Sequence, residues 1–100
     1  MGKEEIQQKA FEIISYAGDA MDQFYQVILD YKHHDLKSAA EKYQKGKEYL
    51  QKTHLIQTQL IQCEIDEEEL PYSLLMTHAQ DHLNSAINWQ RMVTLLLDED

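Results

Sequence analysis

The sequence predicts an all-α fold, an antiparallel three-helix bundle. Three observations carry that expectation. Glycine and proline are scarce, at three and one in 100 residues. Apolar residues recur at spacings of three and four along most of the chain, and alternation with period two is absent. Two short polar breaks, "YKHHDL" and "EIDEEELPY", divide the pattern into three long segments. A chain of this length fits one domain, residues 1–100, with a limited core.

The first helix is expected from about Lys3 to Tyr31, with Ile6, Ala10, Ile13, Ile14, Ala17, Met21, Phe24, Tyr25 and Ile28 at helical spacing. Asp35 then offers a side-chain acceptor at the right place to cap a second helix, which runs to about Cys63 through Ala39, Tyr43, Leu50, Leu55 and Ile56. In the second break, the run 66–69 reads as a solvated loop, and Pro71 suits a first helical turn. A third helix follows, from about Tyr72 to Leu97. Gly18 and Gly46 fall inside helices, where each costs about 1 kcal/mol against alanine. Gly18, in "YAGDA", sits among small residues that would let another helix come close; a tolerated defect is the alternative.

Charge and composition exclude several functions. Acidic residues outnumber basic ones 18 to 9, a net charge of -9, which disfavours nucleic acid and anionic membrane as partners. A basic protein partner, or simply solubility, is favoured. No apolar run approaches the roughly 20 residues of a membrane span, and no secretory signal is evident. Cys63 is the single cysteine, so an internal disulfide is excluded and a reduced, cytoplasmic setting is expected.

The third helix is apolar over an unusually wide arc. At about 100° per residue, Thr77, Gln80, Asn84, Asn88 and Arg91 gather in one polar sector. Leu74, Leu75, Met76, Ala79, Leu83, Ala86, Ile87, Trp89, Met92, Val93 and Leu96 occupy most of the remainder. Two neighbouring helices cannot cover so wide an arc, so self-association of three-helix protomers is expected. Within "MTHAQDHL", residues 76–83, His78 and His82 lie in the apolar arc and Asp81 at its edge.

Residues alone leave three readings of that cluster. A metal centre would use His78 and His82 four positions apart, but zinc proteases need a glutamate where Ala79 stands, and the Glu-x-x-His of di-metal bundles is absent. A reactive imidazole is the second: neutral histidine is a good nucleophile near neutral pH, and a second histidine can donate to an anion formed on the first. The third is a pair of core histidines bonded to carbonyls. Cys63 has no histidine at a telling spacing and reads as an inert thiol.

"HAQDHL" at 78–83, preceded by "ELPYS" at 69–73, resembles the enzyme IIA component of the lactose/cellobiose-type phosphoenolpyruvate-dependent sugar phosphotransferase system. "FEIISYAGDA" at 11–20 is similar to that family's first helix, and "THLIQTQLI" at 53–61 to its second. The likeness covers nearly the whole chain in order. It implies a homotrimer, a nine-helix bundle. His78 would accept a phosphoryl group from the carrier HPr and pass it to a cysteine of the IIB component, while the IIC channel imports a disaccharide. Asp81 would lie on the trimer axis, where three copies share a metal ion, magnesium or another divalent cation. His82 would lie beside the reactive ring.

With His78 in mid-helix, its own backbone N–H is already used. The phosphoryl group must then be held by side chains, and His82 and Gln80 are the nearest in sequence. Gln57 and His54 are further candidates, with a structural role as the alternative. Two departures stand out: His33 and His34 occupy a turn where relatives commonly have glycine, and "LLLDED" ends the chain on acidic residues that oppose the helix dipole, so fraying is expected there. The competing functional reading is a helical oligomerisation or regulatory module of the same fold that carries no phosphate.

Overall fold

The computed structural model describes residues 1–66 and 73–97. It comprises three helices: α1 (Lys3–Lys32), α2 (Leu36–Ile65) and α3 (Leu74–Leu97). Among the described residues there is no strand. The molecule measures 49 × 22 × 16 Å. A 30-residue helix is about 45 Å long at 1.5 Å per residue, so the long axis is one helix length and the cross-section holds a single bundle. The expected three-helix architecture is therefore present. Pro71, Tyr72, the acidic run beyond Asp66 and the terminal Asp98–Asp100 lie outside the described residues.

The core follows from one stripe on each helix. In α1, Ile6, Ala10, Ile13, Ala17, Ala20, Phe24 and Val27 are buried, stepping by four and three. In α2 the buried set is Ala39, Gly46, Leu50, Thr53, Ile56, Leu60 and Cys63. In α3 it is only Ala79, Leu83, Ala86 and Val93. α1 packs along both other helices, whereas α2 and α3 touch more sparsely. Large and small side chains alternate across the seams, as close packing requires. The clearest case is Phe24: a Cβ built on Gly46 would lie 2.5 Å from its ring. Gly46 is thus the glycine that permits close approach. Gly18 has nothing within 4 Å of where its Cβ would be, which within the chain favours the tolerated-defect alternative.

The corner between α1 and α2 explains how histidine replaces glycine there. His34 N–H donates to the Tyr31 carbonyl at 3.0 Å, and Asp35 N–H to the Asp30 carbonyl at 2.8 Å. This is the paired closure that ends many helices, and it needs a left-handed residue between them. His34 supplies it, at φ 61°. Asp35 caps α2 as expected, its Oδ1 accepting from Ser38 N–H at 3.1 Å. Ser73 does the same for α3, its Oγ accepting from Met76 N–H at 3.0 Å, a serine cap that attention to Pro71 passed over.

Asp30 ties the corner together. Its carboxylate accepts from Ser38 Oγ at 2.6 Å and from Lys42 Nζ at 3.4 Å. The Ser38 hydrogen bond, then Lys42 and the nearby His33, hold its pKa below the usual value against partial desolvation. A depressed carboxylate binds its proton less readily folded than unfolded. Its stabilising contribution is complete above the unfolded value and disappears as pH falls through the folded one. Asp30→Asn is therefore expected to melt below wild type at pH 6, with the gap closing below about pH 4. Melting curves at the two pH values check this, and a gap that widens on acidification would contradict it.

Candidate functional site: a histidine pair on α3

α3 presents two distinct faces besides its buried stripe. His78 and His82, four positions apart, meet edge to face along one flank. Their ring centroids are 4.3 Å apart with the planes at 71°. His82 Nδ1 lies 3.3 Å from the His78 carbonyl oxygen. A carbonyl only accepts, so Nδ1 carries the proton and Nε2 is left for other work. His78 is exposed, and among the described residues its ring forms no hydrogen bond. The core-histidine reading therefore fails for His78, while one nitrogen of His82 does rest on a main-chain carbonyl. Below the pair, Tyr25 of α1 meets Trp89 edge to face at 6.2 Å, closing that flank with aromatic surface.

Gln80 is not brought to His78 within the chain. Two residues apart on a helix means about 200° of rotation, and Gln80 faces α2, accepting from Gln57 Nε2 at 2.8 Å. Gln57 thus meets Gln80 rather than the histidines, and His54 is exposed on α2. Asp81 is exposed as well. Among the described residues no cluster of three or more His, Cys, Asp or Glu could hold a metal, so a single chain offers a cation one carboxylate and no cage.

The arc between these flanks is uncovered. Leu74 is 77% exposed, Met92 52% and Leu95 78%. Together with His78, Asp81, Ser85 and Asn88 they form an unbroken run, 74, 78, 81, 85, 88, 92 and 95, stepping by four and three. That is the spacing of a coiled-coil seam. The sequence signalled a wide apolar arc; the exact-heptad line through Asp81 was present in the spacing and is evident once the buried stripe is subtracted. No helix among the described residues is long and apolar enough to cross a membrane.

A three-helix domain with an unpaired seam and an exposed histidine beside a half-buried one is the class of protein that fold and surface define. Residues 8–99 match the model of the family described as the PTS system, lactose/cellobiose-specific IIA subunit. The chain is 37% identical over 95 residues to the lichenan-specific phosphotransferase enzyme IIA component of Bacillus subtilis (strain 168), covering 95% of this chain and 86% of that one. It is 32% identical over 98 residues to the lactose-specific EIIA component of Staphylococcus aureus (strain N315), covering 98% and 95%. The crystal structure of PtcA from S. mutans superposes with a TM-score of 0.93 at 31% identity, over 97% of this chain and 95% of that one. The PTS cellobiose-specific enzyme IIA from Bacillus anthracis gives 0.89 at 33% identity, over 98% and 88%. The chain belongs to the lactose/cellobiose-specific IIA family of the sugar phosphotransferase system. Its general role is accordingly phosphotransfer in the service of sugar transport.

Proposed function

We propose that the chain is the phosphohistidine carrier of a disaccharide-class phosphotransferase system in the cytoplasm, taking a phosphoryl group from HPr onto His78 and delivering it to the cysteine of a IIB component. The observation that carries this reading is the exposed His78 ring, free of hydrogen bonds among the described residues and set edge to face against a second imidazole at 4.3 Å. A nitrogen lone pair of His78 attacks phosphorus as the bond to the donor's imidazole breaks. The reverse displacement by a thiolate empties the site. Such a transfer needs in-line access and charge compensation and little else. Exposure supplies the access, and the net charge of -9 suits a basic donor surface. The relatives are specific for lactose, cellobiose and lichenan, and this component handles the phosphoryl group rather than the sugar.

The seam supports assembly as a homotrimer, a nine-helix bundle. Threefold packing along 74–78–81–85–88–92–95 sets the His78 flank of one copy against the Gln80 flank of the next, so Gln80 reaches the phosphoryl group on a neighbour, while His82 Nε2 serves its own chain. Three Asp81 carboxylates then converge. Like charges brought together need protons or a cation, and an all-oxygen donor set suits magnesium or a similar hard ion. Such an ion would neutralise the carboxylates at the axis.

Incubation with phosphoenolpyruvate, enzyme I and HPr is expected to leave acid-labile, base-stable phosphate on His78, located by peptide mass spectrometry and absent from His78→Ala. Label that persists in His78→Ala would overturn the site. A wild-type chain that takes up no label would instead favour the non-catalytic oligomerisation module.

A further inference from the structure

The contact between Gln57 and Gln80 has a definite polarity. Gln80 Nε2 lies 3.7 Å from Met76 Sδ, and a thioether sulfur can only accept. Gln80 therefore turns its nitrogen towards Met76 and its oxygen towards α2. The group facing that oxygen must donate, and Gln57 Nε2 does so at 2.8 Å. One hydrogen of the Gln80 amide is engaged by a soft, weak acceptor, and the other is unspent.

We propose that Gln57 is a positioning residue for phosphoryl transfer: by donating to Gln80 Oε1 it keeps the Gln80 NH2 turned away from α2, with one N–H left to donate to the phosphoryl oxygens on a neighbouring copy's His78. This rests on the reading that Gln80 serves that histidine. The two ends of a carboxamide are nearly the same size and opposite in character. An unrestrained Gln80 would present oxygen as readily as nitrogen, and oxygen repels a phosphoryl dianion. A donor on α2 removes the wrong orientation before the phosphoryl group arrives, which is how preorganised polar groups lower a barrier. The bond crosses between two helices that otherwise touch sparsely, so the orientation is set by a tertiary contact.

The test is the rate of phosphoryl uptake from phosphorylated HPr, with helix content and oligomeric state monitored for every variant. Gln57→Glu has the same length but can only accept, so Gln80 must reverse, and uptake is expected to slow about tenfold or more. Gln57→Lys can only donate and is expected to exceed Gln57→Glu by about tenfold. Gln80→Met is expected to be slow, and adding Gln57→Glu to it should slow it no further, because residues that act through one another are not additive. A wild-type rate in Gln57→Glu beside a slow Gln80→Met would overturn the positioning role and leave that of Gln80 intact. A full Gln57→Glu defect in the Gln80→Met background would show that Gln57 acts through its charge, again overturning it. A wild-type rate in Gln80→Met alone would remove the role of Gln80, and that of Gln57 with it.

Discussion

Phe24→Ala is expected to cost about 3–5 kcal/mol, the range for removing a buried aromatic ring and leaving a cavity. Phe24 is fully buried and is the largest such side chain among the described residues. Its ring packs against Gly46 and tilts against Tyr43 with centroids 6.0 Å apart, so neither neighbour can move in to fill the space. Domains of this size are stable by about 5–15 kcal/mol, so the variant should be close to unfolding. The reverse insult comes from the other side of the contact. In Gly46→Ala the new Cβ meets three ring atoms at 2.5, 2.8 and 2.9 Å, and overpacking of this kind costs about 1–3 kcal/mol. A gain of about 1 kcal/mol in helix propensity offsets part of that. Gly18→Ala, with open space at its Cβ, keeps the propensity gain alone and should be stabilised by up to about 1 kcal/mol. Urea midpoints of the three variants check the set. If Gly46→Ala is stabilised like Gly18→Ala, the close packing of the ring on α2 is not there. Combining Gly46→Ala with Phe24→Leu should restore part of the loss, since the two sites share one volume.

Those two glycines mark where sequence legibility ends. Helix existence was readable because the apolar positions keep helical spacing for 24 to 30 residues at a time, and Asp35 announced its own cap. Nothing local distinguishes Gly18 from Gly46: the difference is which one lies opposite Phe24, and that depends on the register between α1 and α2. His34 in a left-handed turn was unexpected for the same reason, because the closing hydrogen bonds around it, not its own preference, select the conformation. At the site, the proximity of His78 to His82 follows from four-residue spacing and was legible. Gln80 was placed near His78 by counting along the chain, whereas the helix puts it about 200° away. Its partner Gln57 could be named as a candidate but not assigned, since the bond between them spans two helices.

Asp81→Lys is expected to reduce the proposed trimer to single protomers, and Asp81→Leu to strengthen it and abolish its sensitivity to chelator. The contrast follows from where Asp81 sits. It is exposed in the protomer, within a seam whose ends, Leu74 and Leu95, are 77% and 78% exposed. Leucines at both ends favour association along this line, and a carboxylate between them opposes it unless something neutralises the converging charges. Lysine keeps the charge and reverses its sign, so no divalent cation can bridge the copies. Leucine removes the charge and adds apolar surface to the seam, and replacing buried ionic groups by packed apolar ones often stabilises an assembly by about 1–4 kcal/mol. Light scattering at micromolar protein, with and without chelator, separates the cases. A wild-type chain that remains a lone protomer, or an Asp81→Lys variant that assembles as wild type does, would show that the seam is not the interface. The same measurement bears on the chemistry. The His78 and Gln80 flanks of one copy face apart, and in the proposed trimer they would meet only between copies, so phosphoryl uptake in Asp81→Lys should fall together with assembly, although neither His78 nor Gln80 has been altered.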